Sequence, residues 1–200
     1  MIGYDPGQGV KSLAQPRVHR ECELALSASV VTIGAFDGVH RGHQALLTRV
    51  VDTAERYGVP SVVYTFDTSP KVVFHGALQL TPPAERLRRF SLFNVDHIIM
   101  AHFDRDYAAR PAMSFIAELG RLNPRELWVG ADFRFGKGRS GDVVLLSKYF
   151  PLRILKDVAA CDGQRISSTR LRALIGEGRR EEARLLHGWP EAGCLPGTML

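Results

Sequence analysis

The sequence predicts an α/β fold: a doubly wound, Rossmann-like parallel sheet of about five strands. Three observations predict it. Short β-branched runs alternate with amphipathic helical stretches. Strand–helix alternation at this spacing calls for parallel strands with helices on both faces. The motifs rich in Gly, His, Ser and Arg all fall just after a predicted strand or at a helix start, where ligands sit in such sheets.

The first strand is Val30-Val31-Thr32-Ile33-Gly34. Leu46, Leu47, Val50, Val51 and Ala54 then recur at helical spacing, and Gly58-Val59-Pro60 ends that helix. Ser61 to Phe66 is the second strand. Thr81-Pro82-Pro83 opens a helix with Leu87, Phe90 and Phe93 on one face, where a proline in the first turn is well placed. His97 to Met100 is the third strand, and Ala112, Phe115, Ile116 and Leu119 mark the next helix. Leu127 to Gly130 is the fourth strand, Val144 to Tyr149 a short helix, and Leu152 to Leu155 the fifth strand. Two last helices cover about Ser168–Ile175 and Glu181–His187. The reading divides the chain into an N-terminal extension over 1–25, one domain over 26–188 and a tail over 189–200.

Bulk composition narrows the classes. The chain has 200 residues, 45% hydrophobic and 24% charged, enough for one domain with a proper core. A net charge of +5 favours anionic partners. No Lys/Arg run forms a nucleic-acid arm, and no stacking-aromatic motif supports RNA binding. Cys22, Cys161 and Cys194 make neither a disulfide framework nor a zinc-site spacing. No stretch approaches the roughly 20 apolar residues of a membrane span. Met1 to Arg20 is polar and does not read as a secretory signal, so a reducing, cytoplasmic setting is expected. Composition leaves the oligomeric state open.

The first motif is Gly34-Ala35-Phe36-Asp37-Gly38-Val39-His40-Arg41-Gly42-His43. Gly34 and Gly38 allow close backbone approach to a ligand. His40 and His43 are three apart at a helix start, so they share one face. Together with the helix dipole they can stabilise negative charge developing on a phosphate. The bland alternative is two capping or surface histidines. A zinc site lacks a third ligand. The second motif is Arg165-Ile166-Ser167-Ser168-Thr169-Arg170-Leu171-Arg172. Ser167, Ser168 and Thr169 are N-cap candidates. The same helix start can also hold phosphates, with Arg172 and Arg165 supplying charge. The third segment, Gly130-Ala131-Asp132-Phe133-Arg134-Phe135-Gly136-Lys137-Gly138-Arg139-Ser140-Gly141, reads as a Gly-rich basic loop around a nucleotide.

The first motif resembles HxGH of the nucleotidyltransferase superfamily, and the second its SSTxxR-type signature. The third looks like the GxDFxFGxxRxG loop of bacterial FAD synthetases. Together they are similar to the adenylyltransferase module of the bifunctional riboflavin kinase/FMN adenylyltransferases, from about Val30 to Leu186. The resemblance implies a nucleotidyltransferase-type fold and the reaction ATP + FMN to FAD + pyrophosphate, with Mg²⁺ bound mainly through ATP oxygens and no protein metal site. It implies that His40, His43 and Arg172 carry the transfer. It places Gly34, Phe36, Asp37, Gly38, Arg165, Ser168, Thr169 and Arg172 at ATP, and Asp67, Pro70, Phe74, Asp132, Phe135 and Arg139 at the flavin. Core packing for Phe74 and Phe135, and turn formation for Asp37 and Asp132, are the ordinary alternatives.

Two departures bear on the expectation. Where the family carries Asp-Pro-His-Pro, this chain has Asp67-Thr68-Ser69-Pro70. That favours, as an alternative, a modified flavin phosphate or another phosphate ester as acceptor, with ATP or CTP as donor. The residues after Arg184 are also too few for a riboflavin kinase domain: either the sequence is truncated before one, or the transferase stands alone and must receive its acceptor already phosphorylated. A non-catalytic flavin- or nucleotide-binding protein is the remaining alternative, and the intact His40 and His43 argue against it.

Overall fold

Among the described residues, six parallel strands form the central sheet, in the order β1-β4-β3-β2-β5-β8. They are β1 Arg17–His19, β2 Ser29–Ile33, β3 Ser61–Phe66, β4 His97–Ala101, β5 Pro124–Gly130 and β8 Leu152–Leu155. The structure, a computed structural model, describes residues 15–156, 158–160 and 162–189. Cys161 and Cys194 lie outside the described residues, as do 1–14 of the expected extension and 190–200 of the expected tail.

The inner strands are apolar on both faces because helices cover both. Val31, Ile33, Val62, Tyr64, Ile99, Leu127 and Val129 pack with Phe115, Ile116 and Leu119 of α5 (Ala112–Gly120) and Leu146 of α6 (Val143–Ser147). Val63 and Ile98 point the other way. They meet Leu46 and Leu47 of α1 (Arg41–Tyr57) and Phe90 of α3 (Pro83–Ser91). Helix α1 ends as expected at Gly58, which caps it at φ 62°. Helices α7 (Ser168–Gly176) and α8 (Arg180–His187) form a smaller cluster of their own through Leu171, Leu174, Ala183 and Leu186.

The fold class is as expected, with four additions. The sheet has a sixth strand, β1, inside the segment read as an extension; it pairs with β4, and Leu24 and Leu26 pack on the core. Helices α2 (Pro70–His75) and α4 (Arg105–Ala108) form in segments to which the sequence pattern assigns no element. The Gly-rich third segment is a small antiparallel hairpin, β6 (Arg134–Phe135) with β7 (Gly141–Asp142). No helix among the described residues is long and apolar enough to cross a membrane.

From β2 the chain builds β3 and β4 on one side and β5 and β8 on the other. The crevice therefore opens beyond the carboxyl ends of β2 and β5, the switch point where α/β sheets bind ligands.

Candidate active site

A cavity of about 920 Å³ occupies that crevice. Its wall is made by the exits of β2, β3, β4 and β5 and by the start of α7. The first motif forms its floor. His40 is the N-cap of α1, and its Nδ1 accepts the His43 backbone N–H at 3.3 Å. An Nδ1 that accepts leaves the proton of the neutral ring on Nε2. The two rings stack with centroids 3.6 Å apart. Burial holds His40 down to about 4, with His187 and Arg165 adding to the shift. His43 is also pushed well below its ordinary value, by burial and then by His40 and Arg86. Both imidazoles are therefore neutral donors at neutral pH. His43 Nδ1 is buried without a hydrogen-bond partner.

The second motif faces the first. Ser167 caps α7 by accepting the Arg170 N–H at 3.2 Å. The Ser168 hydroxyl donates to the Asp37 carbonyl at 2.7 Å, and the Arg172 guanidinium donates to the Asp37 carboxylate. Two helix N-termini, 127 residues apart in sequence (Arg41 to Ser168), are thus tied together at one point. The first-turn N–H groups of α7 have no acceptor within the helix and suit an anion. The Thr169 hydroxyl, facing the cavity, accepts from Lys71 Nζ of α2.

Asp37 does more than turn the chain. It is buried, and its Oδ1 accepts the backbone N–H groups of Leu80 at 2.9 Å and Thr81 at 3.0 Å. Its carboxylate is spent on these and on Arg172. Arg165 lies 3.1 Å from Asp132 across the cavity mouth.

The third segment supplies the far wall. Gly136 has φ 71°, and a Cβ there would lie 2.7 Å from the Ala112 backbone. Lys137 N–H also donates to Arg110 O at 2.8 Å. The hairpin is thereby fastened to the start of α5. The Phe135 ring covers Gly141, where a Cβ would come within 2.5 Å of it. Phe135 packs on Phe115 at 5.4 Å and stacks on Phe133 at 5.7 Å. Phe74, 47% exposed, meets Phe103 edge-on. This end of the cavity is aromatic, while the end at α1 and α7 is polar and basic.

The structure brings to the cavity Gly34, Phe36, Asp37, His40, His43, Arg165, Ser168, Thr169 and Arg172, and also Pro70, Phe74, Asp132, Phe135 and Arg139. Two expected residues are not on its wall. Gly38, at φ 92°, turns under Leu80 and Leu171 and leaves the lining to its neighbours. Asp67 points to the β4 exit, where it accepts the Phe103 N–H at 3.0 Å and pairs with His102 at 2.6 Å.

Sequence reasoning missed Lys71, Tyr107, Arg110 and Arg86. Arg86 is wholly buried, donating to Ala35 O and Asp67 O at 2.7 Å each, so one guanidinium joins the exits of β2 and β3. Tyr107 and Arg110 line the cavity and are held from behind by Glu118. Tyr64 donates to that carboxylate at 2.5 Å and Arg110 at 2.8 Å, while Tyr107 meets Tyr64 at 2.8 Å. No local pattern marks them: α2 and α4, which carry Lys71 and Tyr107, bury no residue, and Arg110 lies outside any helix. Among the described residues no three His, Cys, Asp or Glu side chains group so as to hold a metal ion.

Comparison with known proteins gives the family. The model of the FAD synthetase family matches residues 22–170. A Geobacillus thermodenitrificans protein, provisionally named a bifunctional riboflavin kinase/FMN adenylyltransferase, is 53% identical over 167 residues, covering 84% of this chain and 93% of that one. The Escherichia coli K12 bifunctional riboflavin kinase/FMN adenylyltransferase is 36% identical over 184 residues, 88% of this chain but 59% of the relative. A Streptococcus pneumoniae crystal structure, described as a macrolide-efflux protein, superposes with a TM-score of 0.76 at 29% identity, over 88% of this chain and 71% of that one. The chain belongs to the FAD synthetase family.

Proposed function

We propose that this chain transfers the adenylyl group of ATP to FMN, giving FAD and pyrophosphate. The observation that carries the reading is the pairing of two helix N-termini at one cavity, α1 with its stacked neutral histidines and α7 with the Ser168 and Thr169 N–H groups of its first turn, joined through Asp37. The triphosphate lies between them. The aromatic end, with Phe74 and Phe135, takes the isoalloxazine ring.

The chemistry is one displacement. An FMN phosphate oxygen bonds to the α-phosphorus of ATP, the bond from that phosphorus to the bridging oxygen breaks, and pyrophosphate leaves with the electron pair. Negative charge rises on the α-phosphoryl oxygens as this happens. The His40 Nε2–H and the His43 imidazole donate to that charge, from a buried setting where such donors act strongly. Arg172 is held rigid by Asp37 and serves as a fixed cation beside the leaving group. Arg165 exchanges Asp132 for phosphate when the nucleotide enters. No side chain becomes covalently attached. Magnesium, carried in by the ATP phosphates rather than by a carboxylate cluster among the described residues, would make pyrophosphate the better leaving group. On this reading the protein is an enzyme of the cytoplasm.

A second reading keeps the chemistry and replaces FMN with another phosphate ester. It is favoured by Ser69, which lies on the cavity wall within the segment that departs from the family pattern. The test is pyrophosphate release measured with ATP or CTP against a panel of acceptors, with and without chelator. Release that depends on ATP, FMN and Mg²⁺ together supports the first reading. Release with another acceptor and none with FMN supports the second.

A further inference from the structure

The chain turns from β2 into α1 through three residues with positive φ: Phe36 at 49°, Gly38 at 92° and Val39 at 42°. Glycine adopts such angles readily; a β-branched side chain resists them. Val39 is nevertheless wholly buried, among Phe36, Leu46, Phe90 and Trp189. A conformation of this kind persists only where its surroundings over-determine it.

Four hydrogen bonds do so here. Val39 N–H donates to Phe36 O at 3.0 Å. Val39 O accepts twice, from Gln44 Nε2 at 2.9 Å and from Trp189 Nε1 at 2.7 Å. Gly38 O accepts from Arg89 Nη1 at 2.9 Å. The side-chain donors come from α1, from α3 and from the residues that follow α8. The Trp189 ring is held in turn by the Arg89 guanidinium, 5.1 Å from its centroid, and by Phe93 edge-on at 6.2 Å. Gln44 also donates to His187 O at 2.9 Å, so the same corner is stitched to the end of α8.

His40 follows Val39 directly. The peptide between them is planar, so the direction of the Val39 carbonyl sets the plane from which the His40 Cα and its ring depart. A carbonyl oxygen has two lone pairs, and both are engaged here. The imidazole's own tether is long, at 3.3 Å to the His43 N–H.

We propose that Trp189, acting with Gln44, is a positioning residue for the transfer: its indole N–H locks the Val39–His40 peptide and so aims the His40 imidazole at the reacting phosphate. The claim rests on the function proposed above. It gives a residue next to α8 a part in a step carried out at the start of α1.

The test is Trp189→Phe, which keeps an aromatic ring beside Arg89 and removes the N–H. It should lower kcat by roughly 10- to 100-fold while the KM values for ATP and FMN stay within about threefold. In a His40→Ala background the same change should lower kcat no further, because Trp189 acts through His40. Losses that multiply in the double variant, or a lowered Tm with kcat intact, would overturn the proposal. A second measurement needs no turnover: the ring ¹⁵N resonances of His40 in the free protein. Trp189→Phe and Gln44→Leu should both displace them from their wild-type positions, and resonances unmoved in both would overturn the proposal whatever the substrate. Displaced resonances in a protein that makes no FAD would uphold the positioning of His40 and sink the FMN reading alone.

Discussion

The rings of His40 and His43 stack with 14° between their planes and 3.6 Å between their centroids. Such a pair is stable while both rings are neutral. Protonating either puts a charge against its neighbour in a buried place.

The pair therefore predicts a one-sided pH response. His40 is depressed to about 4 in the folded protein from an ordinary 6.5. Between those values the unfolded chain binds the proton and the folded one does not. The contribution of His40 to stability is full above about pH 6.5, declines as pH falls, and is gone below about 4. A shift of that size corresponds to about 3 kcal/mol. Urea denaturation at pH 7.5 and 4.5 should show the loss in the wild type and less of it in His40→Ala. An equal loss in both would mean that His40 is not the group responsible.

Asp37→Ala should cost about 3–5 kcal/mol of stability, the penalty for leaving one partner of a buried pair alone. The substitution strands the Leu80 and Thr81 N–H groups as well as Arg172. The urea midpoint should fall with little change in slope. A loss below 1 kcal/mol would show that the turn holds without that carboxylate.

Gly136→Ala should act on the acceptor more than on the nucleotide. Its Cβ would meet the Ala112 backbone at 2.7 Å, with φ at 71°, so the hairpin must lift off α5. Phe135 rides on that hairpin. We expect the KM for FMN to rise by about tenfold, the KM for ATP to change little, and flavin fluorescence quenching on binding to weaken in step. Equal rises in both KM values would place the hairpin at the nucleotide instead.

Much of this was legible from local pattern. Val30 to Ile33 reads as a strand because it is apolar on both faces, and Gly58 as a helix stop because it caps α1 in the left-handed region. The histidine pair and the Ser167 cap follow from spacing alone. What was not legible depends on distant partners. Asp37 looks like a turn residue, and its binding to Leu80, Thr81 and Arg172 spans 43 to 135 residues. Arg86 looks like one more arginine in a basic helix until Ala35 O and Asp67 O are brought to it. Strand β1 has three residues, Arg17–His19, too few to show a period, and is specified by its pairing with β4. Asp67 carries the family signature yet faces His102, because the exit of β4 lies beside that of β3.

Following the phosphorus shows directly whether the adenylyl group of ATP reaches FMN. ATP labelled at the α-phosphate and ATP labelled at the γ-phosphate are each incubated with the protein, FMN and Mg²⁺, and the products are separated by chromatography. The α-label should appear in FAD and the γ-label in pyrophosphate only, with both falling by two orders of magnitude or more in His43→Ala, the scale of removing one charge-stabilising donor at about 10²–10³-fold. Label from the γ-phosphate on the flavin, or His43→Ala turning over at the wild-type rate, would contradict that mechanism.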